Sequence, residues 1–203
     1  MVWVTCERLT YVPFTPDDAA VLLIDHQVGT IGWVGSADHD ELRANTVRLA
    51  KTVKALGMPT VLTTSMEDQV QGPLIPDLEQ IMPAEYFARI QRTGVVNAMA
   101  DPTFAAAVKN TGRRRLIVAG VTTDVCVVYP VLSALADGYE VQVVVDASGS
   151  LSPVSDEMAL RRMERSGAVL NTTRPLLAEL ADNWAGPAGQ AVLGVHAELE
   201  AQR

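Results

Sequence analysis

Two stretches restrict this chain more than any others. Ala19-Ala-Val-Leu-Leu-Ile-Asp25 and Arg115-Leu-Ile-Val-Ala-Gly120 each run apolar for several residues without alternation. A strand with one face in water alternates apolar and polar side chains, whereas one that is apolar throughout is covered on both faces. Such strands belong to parallel sheets lying between two layers of helices. Further strands are expected at 59–65, 86–90, 139–146 and 168–171. Apolar residues at helical spacing predict helices over 40–56, 77–81, 102–110, 126–136, 155–166 and 175–184. Pro130 is expected to kink the helix that carries Cys126. The alternation argues a three-layer α/β/α fold around a mostly parallel, six-stranded sheet. Residues 1–18 read as an irregular N-terminal segment and 19–185 as one domain. Residues 186–203 read as a helical extension that either packs on the domain or reaches a neighbouring subunit.

Composition narrows the function classes. A net charge of -8 argues against nucleic acid as a partner, and the local basic run Arg113-Arg114-Arg115 reads as a solvated strand entrance. No apolar run reaches 18 residues and no basic, apolar leader is seen, so a cytoplasmic protein without membrane contact is expected. Cys6 and Cys126 form no CxxC pair and no disulfide framework. Neither a Walker loop nor GxGxxG is present, so no nucleotide and no other cofactor is expected.

The chemistry concentrates where the two apolar runs end. Gly120 breaks the second run, Thr122, Thr123 and Asp124 can cap a helix start, and Cys126 follows in the first turn. The positive end of a helix favours an anion, which biases a thiol there toward thiolate. The alternative is a cysteine serving as a small core residue. Asp25 closes the first run at the carboxyl end of a buried strand, where open α/β sheets carry their sites. Its alternative is a turn cap. Right-handed crossovers put both strand ends on one edge of the sheet. His26 and Gln27 are expected along the same rim.

In Leu23-Ile-Asp-His-Gln27, Leu62-Thr-Thr-Ser65, Arg92-Thr-Gly-Val-Val-Asn-Ala98, Gly120-Val-Thr-Thr-Asp-Val-Cys126-Val and Asp146-Ala-Ser-Gly149, the chain resembles the isochorismatase-like cysteine hydrolases, closest to their YcaC-like branch. The resemblance implies a triad of Asp, Lys and Cys, matched here by Asp25 and Cys126, with Arg92 standing at the Lys position. It also implies a cis bond at Val121–Thr122, with the amides of Thr122 and Cys126 receiving an oxyanion. Gln27, Thr64, Asn97 and Tyr129 are expected around the pocket. A metal-binding relative would carry Asp-x-His after the second strand. This chain reads Ser65-Met-Glu-Asp-Gln-Val, so no metal is expected beyond a weak cation at Glu67 and Asp68.

The implied activity is metal-free hydrolysis of a C–N bond in a small amide, ureido or imide compound through a Cys126 thioester. Arg92 keeps a positive charge but cannot trade protons as Lys can. That substitution leaves open a non-catalytic or redox-responsive oligomer that uses Cys126 as a sensor or ligand-binding thiol. The resemblance further implies a homo-oligomer, with an octamer among the family's forms. Trp33 and the apolar C-terminal segment are the interface material that the sequence offers.

Overall fold

The computed structural model describes residues 12–201, so most of the N-terminal segment, including Cys6, lies outside the described residues. Six strands form one sheet: β1 (Ala19–Ile24), β2 (Thr60–Ser65), β3 (Ile90–Arg92), β4 (Arg115–Gly120), β5 (Glu140–Val144) and β6 (Val169–Asn171). Their spatial order is β3-β2-β1-β4-β5-β6, and every pairing is parallel. All six residues of β1 are buried, as are the last five of β4. The unbroken apolar runs therefore mark the two central strands.

Alternate residues of those strands feed two cores. Ala19, Val21 and Leu23 of β1, with Ile117 and Ala119 of β4, join one cluster. It takes in α2 (His39–Ala55), α3 (Pro76–Ile81), α8 (Thr173–Ala181) and Val192 of α9 (Pro187–Ala201). Ala20, Leu22, Ile24, Leu116 and Val118 join the other, with α5 (Pro102–Asn110), α6 (Val128–Ala136) and α7 (Pro153–Arg165). The three layers follow from this division. Helix starts are fixed locally: Asp38 accepts the amides of Asp40 and Glu41, and Asp101 those of Thr103 and Phe104. Each such cap contributes about 1 kcal/mol. The C-terminal segment packs on the domain, with α9 lying against α2 and α8. None of the described helices is long and apolar enough to cross a membrane.

Three local expectations need correction. The third strand is not at 86–90: Tyr86 and Phe87 end a short helix, α4 (Pro83–Phe87), and pairing begins at Ile90 opposite Thr63. Pro83 at the first helical position favours that turn, and the Arg89 guanidinium lies over the Tyr86 ring at 4.5 Å. Tertiary packing thus overrides the strand propensity of the two aromatics. The helix after β4 does not run unbroken from Cys126. A π turn over Thr123–Val127 precedes α6, which places Pro130 third in its own helix, where an amide has no intrahelical partner to lose. A further short helix, α1 (Val28–Gly32), follows β1 directly, where no helix was expected.

Candidate active site

The chain order fixes where a site can form. From β1 it proceeds outward through β2 and β3, then returns to place β4 on the other side of β1. Open α/β sheets leave a crevice at such a reversal, beyond the carboxyl ends of the strands. Ile24 pairs with Gly120 across that point, so Asp25 and the turn bearing Cys126 emerge side by side. Gly120 permits this closeness. A Cβ there would stand 2.6 Å from the Ile24 carbonyl oxygen and 2.9 Å from Val127 Cγ2.

Asp25 has a φ of 56°, in the left-handed region that side-chain-bearing residues seldom occupy. Its neighbours hold it there. The amide donates to the Thr63 carbonyl at 3.0 Å, and the Asp25 carbonyl accepts from the Gln27 amide at 2.7 Å and from Thr30 Oγ1 at 2.8 Å. The carboxyl is fully buried. Arg92 Nη2 donates to its Oδ2, while Oδ1 is buried without a conventional hydrogen-bond partner.

Arg92 comes from the end of β3 and reaches across β2. Its Nε donates to Thr63 Oγ1 at 3.0 Å and its Nη1 to the Val95 carbonyl, so all three nitrogens have acceptors. Thr63 Oγ1 in turn donates to the Ile90 carbonyl at 2.7 Å. The guanidinium is a fixed part of the floor, fully buried, rather than a free surface cation.

The Val121–Thr122 bond is cis. The Thr122 carbonyl accepts the Cys126 amide at 2.7 Å and the Val127 amide at 3.1 Å, which makes the turn π rather than α. The Cys126 amide is therefore committed inside the turn, which corrects its expected place as an oxyanion donor. The Thr122 main chain instead faces the thiol and favours its ionisation. A loop at 148–150 braces the turn from outside. Gly149 O accepts the Thr123 amide at 2.9 Å, Ser150 Oγ the Asp124 amide at 3.2 Å, and Ser148 Oγ the Gly120 amide at 3.1 Å.

The electrostatics run against the expected thiolate. Burial pushes the Cys126 thiol up, and the Asp25 carboxyl beside it, by charge and by hydrogen bond, pushes the same way; Thr122 and Arg92 oppose both without prevailing. Asp25 is also raised above the ordinary carboxylate range, because burial outweighs the charge and hydrogen bond of Arg92. Burial thus disfavours the charged form of both groups, and each holds a proton more tightly than it would in water. His26 does not line a rim. It is fully buried, its Nε2 bonds the Ala147 carbonyl at 2.9 Å, and burial lowers its pKa to about 4.

The structure divides the remaining expected pocket residues. Gln27 is fully buried and its amide ties the 65–72 segment, accepting from Ser65 N and donating to the Ser65 and Gly72 carbonyls. Thr64 Oγ1 donates to Glu67. Asn97 caps the Met99 amide and donates to Ser133 Oγ. Tyr129, 39% exposed at the start of α6, lies beneath Arg162 at 5.6 Å. Glu67 holds Arg89, Thr64 and Gln91, so its oxygens are engaged by protein rather than offered to a cation. Thr63, Thr30, Ser148 and Ser150 were missed; only the polar ends of β2 and the Asp146–Gly149 stretch hinted at them.

Comparison with known proteins identifies the family and the fold. A family model described as the isochorismatase domain matches residues 19–175. The curated "Probable hydrolase YcaC" of Escherichia coli (strain K12) is 41% identical over 174 residues, covering 86% of this chain and 83% of that protein. YcaC from Pseudomonas aeruginosa, solved with hexane-2,5-diol and covalent acrylamide, superposes with a TM-score of 0.87 at 42% identity, covering 95% and 96% of the two chains. The E. coli YcaC structure, described as an octameric hydrolase of unknown specificity, gives a TM-score of 0.87 at 38% identity, covering 95% of each chain.

Proposed function

The chain belongs to the isochorismatase family of hydrolases, and from that premise we propose that it cleaves a C–N bond of a small amide, ureido or imide compound through a Cys126 thioester. The observation that carries the reading is the buried Asp25 carboxyl. One oxygen is fixed by Arg92, the other is buried without a partner, and the Cys126 thiol is close enough to act on the carboxyl electrostatically. A carboxylate of raised pKa is a stronger base than a solvated one, which suits it to take a proton from a thiol.

In the proposed reaction the thiol proton passes to Asp25 as sulfur attacks the carbonyl carbon. The oxygen gains the electron pair of the C=O bond and is met by the Thr122 amide, outside the backbone ladder. Collapse of the adduct breaks the C–N bond, and Asp25 returns the proton to the departing nitrogen. Water then gives a proton to Asp25 and attacks the thioester, and the C–S bond breaks with the thiol reprotonated. Arg92 stays charged throughout. It holds the carboxyl in place and trades no proton.

We extend the homo-oligomeric state described for E. coli YcaC to this chain. Exposed Trp33 is an apolar surface that supports it.

The test is ammonia release from a panel of small amides by the wild type and by Cys126→Ala, with intact-mass detection of the acyl-enzyme in quenched samples. Release and an acyl adduct are expected only with the wild type. Activity retained by Cys126→Ala overturns the reading.

A further inference from the structure

A cavity of about 460 Å³ lies between α2, α8 and α9 and includes no residue of the triad. Its volume falls within the range of small-molecule sites. The walls that matter are Arg48 and Thr52 of α2, Arg174 of α8, Trp184, and Val192 and His196 of α9. Trp184 and α9 lie beyond residue 175, where the match to the family model ends. The cavity is thus built by this chain's C-terminal part against the family core.

Two polar atoms there are buried and unsatisfied. Thr52 is fully buried and its Oγ1 has no hydrogen-bond partner; Arg48 Nε is also without one. A helical threonine ordinarily turns its hydroxyl back to the carbonyl four residues earlier, as Thr46 of the same helix does with Leu42 at 2.9 Å. Thr52 does not. Native structures leave few buried polar groups unpaired, and such groups call for an explanation. Arg174, at the other wall, is in no ion pair among the described residues, whereas the neighbouring Lys51 pairs with Glu198.

The charge of the lining selects the ligand. Arg48 and Arg174 bring two guanidinium groups to the lining, and Glu200, the one carboxylate among the lining residues, is engaged in an interaction of its own. The rest of the wall is the Trp184 indole, aliphatic side chains, the Thr52 hydroxyl and the His196 imidazole. From this we infer that the cavity binds an organic monoanion, a carboxylate with an aromatic or branched apolar body. The carboxylate lies between the two guanidinium groups, and the apolar body lies against Trp184 and Val192. The site is separate from the proposed catalytic centre and does not depend on the reading of Cys126.

Calorimetric titration of the full chain at constant ionic strength tests this, with benzoate, benzyl alcohol and inorganic phosphate as probes. Benzoate should bind saturably, and the neutral alcohol and phosphate about tenfold or more weaker. Arg48→Gln and Arg174→Gln should each weaken benzoate about tenfold, with unchanged melting temperature in its absence. Arg174 is exposed, so its variant decides the matter if Arg48→Gln folds poorly. Saturating benzoate should leave iodoacetamide modification of Cys126 unaffected. The inference is overturned if benzoate shows no saturable binding at about 10 mM, if phosphate binds equally well, if both variants bind as the wild type, or if benzoate protects Cys126.

Discussion

Two arginine–carboxylate clusters sit at opposite edges of the same sheet. At the carboxyl edge Arg92 meets Asp25 with both side chains at 0% exposure. At the amino edge Arg115 opens β4 and meets Asp18 at 2.7 Å and Glu140 at 3.2 Å, with those carboxylates 39% and 62% exposed. The groups are alike and water makes the difference. The outer cluster tethers the incoming chain, as Arg115 also bonds the Pro13 carbonyl and lies over the Phe14 ring at 5.2 Å. Solvated pairs of this kind contribute about 0–1 kcal/mol. The inner pair gives up hydration that its mutual attraction only partly offsets, so it is weak evidence for stability and stronger evidence for chemistry. A charge kept where charge is costly has a use there.

The sharpest way to break this contrast is to neutralise the inner carboxyl. Asp25→Asn should lower kcat/KM about 10²–10⁴-fold on whichever amide the wild type hydrolyses, the usual range for losing a general base. The same change should speed iodoacetamide modification of Cys126 near neutral pH. Burial still pushes the thiol up, but the change removes the charge and the hydrogen bond that add to it and leaves Arg92, which pulls it down. Slower modification would show that the carboxyl does not hold the thiol protonated.

The next effect is on stability. Arg92→Met leaves Asp25 buried without its cation and should cost about 3–5 kcal/mol in urea unfolding. The double variant Asp25→Leu/Arg92→Met should recover most of that loss. If it does not, the pair is a net stabiliser and the two edges differ less than their burial implies.

His26 extends the comparison to pH. Its pKa is about 4 in the folded chain against 6.5 for a free side chain, because burial disfavours the imidazolium. The unfolded chain therefore binds the proton first as pH falls. The stability associated with neutral His26 is complete above about pH 6.5 and is lost as pH drops toward 4, by about 3 kcal/mol in all. Unfolding midpoints of the wild type should fall more steeply over this window than those of His26→Gln; parallel curves would refute it.

The smallest effect belongs to the outer edge. Arg115→Ala should cost about 1 kcal/mol or less, diminish further in high salt, and leave Cys126 reactivity unchanged. A larger loss would mean that the cluster is more protected than its exposure suggests.

What could be read from the sequence follows the range of the interaction responsible. β1 and β4 were legible because burial on both faces writes itself into consecutive residues, and the positions of Asp25 and Cys126 were legible as the ends of those runs. Arg92 reached the candidate site through family resemblance alone. Its own strand was misplaced by four residues because Tyr86 and Phe87 suit a sheet as well as a helix. The sign of the thiol shift was missed for a related reason. A helix start is a local pattern, whereas the burial around Cys126 is assembled from β1, β4 and the 148–150 loop. Ser148, Ser150 and Thr63 act through hydrogen bonds to distant backbone, and neither spacing nor composition records those.

The reach of Arg92 across β2 bears on the order in which the molecule assembles. Asp25 and Arg92 are 67 positions apart, and their contact passes Thr63 of the intervening strand. Both charges keep their hydration until β1, β2 and β3 have docked, since only a complete three-strand edge supplies the acceptors that replace water. Closure of this edge is then a late event on the folding path, after the apolar faces of β1 and β4 have met their helices. Changes to the pair should appear in the unfolding arm of a chevron and leave the refolding arm nearly unmoved.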